Sequence, residues 1–170
     1  MSYASLLTAT ALTGTYATSP VPNLELITLV VFGSGILLGA RDGLLVASVV
    51  WLAYSLLNPY GPAHPLVTAA QVIGTAPVAV AGSVFARLGL PERPALHRAW
   101  ILALLGAVLT LFFDLVTNLA TGLIYGQLRA TLFMGIPFAL WHITWNVALF
   151  VVLGTPLTGV FWHYRSRLSF

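Results

Sequence analysis

Apolar residues run along this chain in long blocks, interrupted by short clusters of Pro, Gly and polar residues rather than by the regular polar faces of soluble amphipathic helices. Segmentation at those breaks predicts six helices, at about 1–17, 25–40, 44–57, 66–88, 98–124 and 130–161. A membrane span needs about 20 residues, so the second and third are short. Either neighbouring helices shelter them or their polar ends lie among lipid headgroups. The first is short too, and it starts at Met1 with no polar flank, which leaves its full insertion open.

Composition turns this pattern into a fold class. Hydrophobic residues make up 59% of the 170 positions and charged residues 6%, against about 25% charged in a soluble domain. Too few charges remain to coat a water-facing surface, so lipid is the expected outer solvent. The expectation is an all-α membrane protein, a compact bundle of six transmembrane helices forming a single domain over 1–170. No apolar segment has the basic front and small-residue cleavage site of a signal peptide, so the whole chain is expected in the mature protein. There is no Cys, which excludes disulfides, thiolate metal sites and a Cys nucleophile. The seven basic residues are all Arg, scattered at predicted helix ends. No basic run interleaved with aromatics exists, so nucleic acid is not an expected partner.

Those Arg residues orient the bundle. Arg41-Asp42-Gly43, the stretch from Arg87 to Arg98, and the tail with His163, Arg165 and Arg167 hold six of the seven. The opposite side has Thr18 to Leu24, Asn58 to Pro65, and Tyr125 to Arg129. The excess of Arg places the first group, and with it both termini, on the cytoplasmic side.

Polar residues at membrane depth carry the candidate chemistry, because an unpaired charge there is costly. Asp114 lies in the middle of the fifth helix with Asn118 four residues on, and His142 and Asn146 repeat that spacing on the sixth. At 1.5 Å per residue Asp114 is about 16 Å and His142 about 18 Å from the same side, so adjacent antiparallel helices bring them level. Trp141 and Trp145 share the sixth helix with this pair. Trp51 and Trp141 fall away from predicted interfaces, and either line something or simply pack. Toward the outer side stand Glu25, Asn58, Tyr60, His64 and Gln71. The run from Asn58 to Pro65 has three Pro in eight residues, stiff enough for a lid and equally consistent with a turn that ends on a helix-starting Pro65. Asn23 and Glu25 are also what a helix start requires, as cap and as dipole partner. On the first helix Ser5, Ala9, Thr13 and Ala17 recur every four residues, a small-residue ladder that suits close packing against a partner subunit or against this protein's own helices. Gly33, Gly35 and Gly39, with Gly74, Ala81 and Gly82, also point to tight helix packing. No nucleotide or metal motif is present, so neither ATP hydrolysis nor a cofactor is expected of this chain.

These residues together resemble the substrate-binding membrane subunit, or S component, of energy-coupling factor (ECF) vitamin transporters, over Pro22 to Leu157. The resemblance rests on Pro22-Asn23-Leu24-Glu25, Gly39-Ala40-Arg41-Asp42-Gly43, Gly61-Pro62 with Pro65, Asp114 with Thr117-Asn118-Leu119-Ala120, and Pro137-Phe138 followed by His142 and Asn146. It implies a multi-pass protein of a prokaryotic plasma membrane. Such a protein binds a vitamin or related micronutrient near its external face and works with a transmembrane coupling subunit and two cytoplasmic ATPases. It also implies that Ser5, Ala9, Thr13 and Ala17 meet the coupling subunit, although the Ala-rich version and the preceding basic residues usual in that family are missing. The substrate does not follow; cobalamin-type corrinoids are the first suggestion. Two other classes compete. His142-x-x-x-Asn146 also resembles the last motif of CAAX-processing proteases, which need a Glu pair and a second His where this chain has only Glu25 and Glu92, far apart. A channel or structural subunit would show a continuous polar stripe.

Overall fold

The computed structural model describes residues 2–167. They form an all-α bundle, with no strand among them. The elements are α1 (Tyr3–Thr18), α2 (Ile27–Leu38), α3 (Ala40–Leu56), α4 (Pro65–Arg87), α5 (Ala95–Tyr125), α6 (Leu128–Leu149) and α7 (Thr155–Arg165), with a short 3₁₀ turn at Leu90–Glu92. A π-helical turn, Phe150–Gly154, joins α6 to α7 without a break. Pro156 explains that turn: it has no N–H to donate and its ring crowds the carbonyl four residues back, so the ladder widens by one residue there.

α2 is the axis of the bundle. Of its 12 residues, ten are buried, and α1, α3, α4 and α7 all pack on it. At about 18 Å it is shorter than a hydrocarbon core, and its neighbours enclose it. Where α2 crosses α4 the backbones touch. A Cβ on Gly35 would land on the Ala79 carbonyl and one on Gly82 on the Phe32 carbonyl, so only glycine fits at either place. Just beyond this crossing Phe32 holds the core together, with ring centroids 5.4 Å from Phe85 and 5.2 Å from Phe150. Such edge and tilted pairs add to simple area burial.

Two expected boundaries move. Arg41, Asp42 and Gly43, expected in a turn, form the first turn of α3, because Gly39 alone, at φ 88°, breaks the chain between α2 and α3. Asp42 then lies where a helix N-terminus favours an acid. α2 starts at Ile27 rather than at residue 25, with Glu25 ahead of it and bonded to its first turn.

α4, α5 and the continuous helix Leu128–Arg165 are each long and apolar enough to cross a membrane. Along α5, Leu96, Trp100, Leu104, Val108, Leu111, Leu115, Leu119 and Leu123 are all exposed, an apolar stripe at three- and four-residue spacing down the outer face. Lipid, not water, suits that face. At one end Arg98 Nη1 donates to the Pro91 carbonyl at 2.6 Å, Trp162 Nε1 to Glu92 at 3.0 Å, and Arg165 to the Ile36 carbonyl. These bonds gather the Arg87–Arg98 stretch and the tail, with the end of α2 beside the Arg41 junction, at that end.

Candidate functional site

At the opposite end a cavity of about 550 Å³ opens among α1, α3, α4, α5 and α6, beneath the segment from Ser19 to Glu25. Its floor begins with the two i, i+4 pairs. α5 and α6 run antiparallel with Phe113 edge-on to His142, which brings His142 Nδ1 to 2.8 Å from Asp114 Oδ1. A carboxylate only accepts, so the N–H belongs to Nδ1 and the other ring nitrogen faces elsewhere. That nitrogen, Nε2, lies 3.6 Å from Glu25 Oε1. One imidazole therefore stands between two carboxylates.

Glu25 reaches this position because it also closes the start of α2. Its Oε2 accepts from the Thr28 backbone N–H at 3.0 Å and its Oε1 from the Thr28 hydroxyl at 2.5 Å, satisfying donors that a helix N-terminus leaves free. Asn146, fully buried one turn below His142, donates from Nδ2 to the His142 carbonyl at 3.4 Å and toward Glu25 Oε1 at 3.5 Å. The bond to the first turn of α2 and the contact with His142 are held by the same carboxylate.

Aromatic rings make the wall. Trp51 stacks on Phe113 with centroids 5.1 Å apart, and Tyr54 meets Trp51 edge-on. The Trp51 indole is fixed by a 2.6 Å bond from Nε1 to the Thr75 hydroxyl. Beside it the Ser55 hydroxyl donates to Gln71 Oε1 at 2.8 Å, setting the amide at the cavity edge. The roof is the Pro20-Val21-Pro22-Asn23 strap. It is tied to the next loop by Tyr60 Oη donating to the Ser19 carbonyl at 2.9 Å. It is tied to α6 by Asn23 Nδ2 donating to the Phe138 carbonyl at 3.0 Å and Trp141 Nε1 to the Pro22 carbonyl at 3.2 Å.

Of the candidates read from sequence, Glu25, Tyr60, Gln71, Asp114, Asn118 and His142 line this cavity. Asn118 also packs on Gly135, where a Cβ would meet its amide nitrogen at 2.6 Å. Asn146 lies beneath the floor. Trp141 clasps the roof from outside, and Trp145 packs edge-on against it at 5.5 Å. Asn58 and His64 are not brought to the cavity. Asn58 Oδ1 accepts from the Tyr60 N–H at 2.9 Å, an Asx turn, and His64 Nδ1 accepts from the Leu66 N–H at 3.1 Å, the cap of α4. Phe113 and Tyr54 line the cavity without having been singled out, and Thr117 and Phe138, named only within motifs, line it too; Phe113 precedes Asp114. The ladder Ser5, Ala9, Thr13 and Ala17 is exposed along its whole length. Leu7, Ala11 and Thr15 are the face that α1 buries, so the ladder does not pack against the protein's own helices. Among the described residues no group of three or more His, Asp or Glu side chains is arranged to hold a metal ion.

Comparison of the chain with protein-family models, with curated proteins and with solved structures returns no match in any of the three.

Proposed function

We propose that this protein is the substrate-binding membrane subunit of an importer of the energy-coupling factor kind, capturing a micronutrient in the roofed cavity. The observation that carries the reading is the cavity itself: a half-open cleft of about 550 Å³ in which Glu25, Gln71, Asp114, Asn118 and His142 converge beside aromatic walls, within the about 300–1,000 Å³ typical of small-molecule sites. In this reading the roofed end is external and both termini are cytoplasmic in a prokaryotic plasma membrane. The exposed small-residue ladder of α1 is the docking face for a coupling subunit, and partner ATPases supply the energy. The cavity volume favours a ligand of drug-like size over a corrinoid.

The protease-like alternative gains one contact, Glu25 beside His142 at 3.6 Å. It lacks a second His there, since His64 caps α4, His97 begins α5 and His163 ends α7.

The test is to purify the full chain in detergent without ATP, denature it, and identify the released small molecules by mass spectrometry, alongside a thermal-shift panel of micronutrients. One compound released in stoichiometric amount, raising the melting temperature when added back, is the expected result; ligand at 100 times its Kd adds about 2.7 kcal/mol. Asp114→Ala should weaken its retention. No released compound and no shift across the panel would remove the support for a binding subunit, and cleavage of model peptides would favour the enzyme.

A further inference from the structure

Charge at the floor of the cavity does not balance. Glu25, Asp114 and His142 have side chains only 11%, 13% and 9% exposed, and no Arg lines the cavity with them. Even with the imidazole protonated, two carboxylates against one cation leave a negative charge. Six of the seven Arg lie in segments toward the other end and Arg129 follows the α5–α6 turn, so none is placed to neutralise it. An unbalanced charge at membrane depth costs several kcal/mol.

Hydrogen bonding is unbalanced in the same sense. His142 is nine-tenths buried and lines the cavity, and it bonds through Nδ1 alone; its Nε2, a second donor when the ring is protonated, stands 3.6 Å from Glu25 Oε1, too far for a hydrogen bond, so the ring compensates Asp114 and Glu25 incompletely. Asp114 Oδ2 and Asn146 Oδ1 are buried and without partners as well, and both are acceptors. What the floor lacks is a donor carrying positive charge. The walls agree, because Trp51, Tyr54 and Phe113 offer aromatic surface that attracts a cation and suits a flat ring.

We propose that the cavity selects a singly charged, flat nitrogenous cation, with its charged edge toward Asp114 and Glu25 and its ring against Trp51, Tyr54 and Phe113. This rests on the binding reading above and names the substrate class of that site. A monocation cancels the residual charge that the protein leaves buried, and an N–H on its charged edge meets the Asp114 carboxylate, whose Oδ2 the protein leaves unpaired. A neutral analogue does only the second, and an anion neither.

The test uses the purified full chain and ligands matched in shape but not in charge, with the N-methylnicotinamide cation, nicotinamide and nicotinate as one such set within a wider panel of flat micronutrients. The tightest binder is expected to be a cation, held above its neutral counterpart. Asp114→Asn, nearly isosteric, should lower that affinity roughly 30-fold or more, as expected for truncating one side of a buried charge pair, and should narrow the gap between the cation and its neutral counterpart. A neutral or anionic tightest binder would overturn this inference and leave the binding reading standing. No binder in any charge class would overturn both. The wild-type charge ranking needs no variant, so it decides the question even where Asp114→Asn does not fold.

Discussion

The two ends of the bundle are fastened by different chemistry. At the arginine end the donors or acceptors are charged: Arg98 on the Pro91 carbonyl, Arg165 on the Ile36 carbonyl, and Glu92 receiving the Trp162 indole. At the cavity end the carboxylates stay on the floor, and the ties that hold the roof and its neighbouring loop are neutral: Tyr16 on the Leu57 carbonyl, Tyr60 on Ser19, Asn23 on Phe138 and Trp141 on Pro22. Hydrogen bonds to charged groups contribute about 1.5–3 kcal/mol net and neutral ones about 0.5–1.5 kcal/mol. Tie for tie, parting the segments therefore costs more at the arginine end than at the roof. Pro20, Pro22, Pro59 and Pro62 stiffen the roof and the loop beside it, so in the proposed binding reading ordering them over a ligand would cost little entropy.

Both ends depend on α2, and the largest expected effect comes from disturbing its crossing with α4. Gly82→Ala puts a Cβ on the Phe32 carbonyl, backbone against backbone, and neither helix can yield without parting from the other. A loss of about 3 kcal/mol or more is expected, the range of severe overpacking, with the melting temperature and ligand retention falling together. Gly159→Ala is the control, since the nearest atom to its new Cβ is an Arg98 nitrogen at 3.6 Å, an ordinary contact. If Gly82→Ala melts like Gly159→Ala, the two ends do not share this pivot.

Next in size is Arg165→Ala, which removes the charged donor from the Ile36 carbonyl near the end of α2. About 2 kcal/mol of stability should be lost, measured by thermal unfolding in detergent. Ligand affinity in the folded fraction should be unchanged. An equal loss of affinity would mean that the arginine end opens with the cavity end and would erase the contrast between them.

How much of this the sequence carries depends on whether a residue's chemistry is local. Asp114, Asn118, His142 and Asn146 stand out because a polar group inside an apolar helix is costly and their i, i+4 spacing puts each pair on one face. Glu25 is legible as a helix-start acid, and it does close α2; its position against His142, 117 positions along the chain, depends on tertiary packing alone. Asn58 and His64 look like ligand contacts because Asx turns and N-caps use the same residue types. Tyr54 and Phe113 are hidden, and Trp51 is left open between lining and packing, for the opposite reason: in an apolar helix a ring that lines a cavity has the same neighbours in sequence as one that packs. The start of α3 is misplaced because a single residue, Gly39, makes a break that usually takes several.

The smallest effect belongs to the roof and separates tie from backbone. Asn23 has φ 60°, a left-handed conformation that Asn and Gly adopt readily and Ala does not. Asn23→Gly keeps that conformation available and removes the bond to the Phe138 carbonyl, whereas Asn23→Ala removes the bond and adds strain. Gly should cost about 1 kcal/mol and Ala about 1 kcal/mol more. If the neutral ties are what hold the roof, stopped-flow release of bound ligand should quicken in both variants, and in Tyr60→Phe, which loses the bond to Ser19 without touching Asn23. Release unchanged in Asn23→Gly and Tyr60→Phe but faster in Asn23→Ala would place the control of opening in the backbone of the strap, not in its hydrogen bonds. The weak end would then owe its mobility to conformation, and the contrast with the arginine end would be one of shape, not of charge.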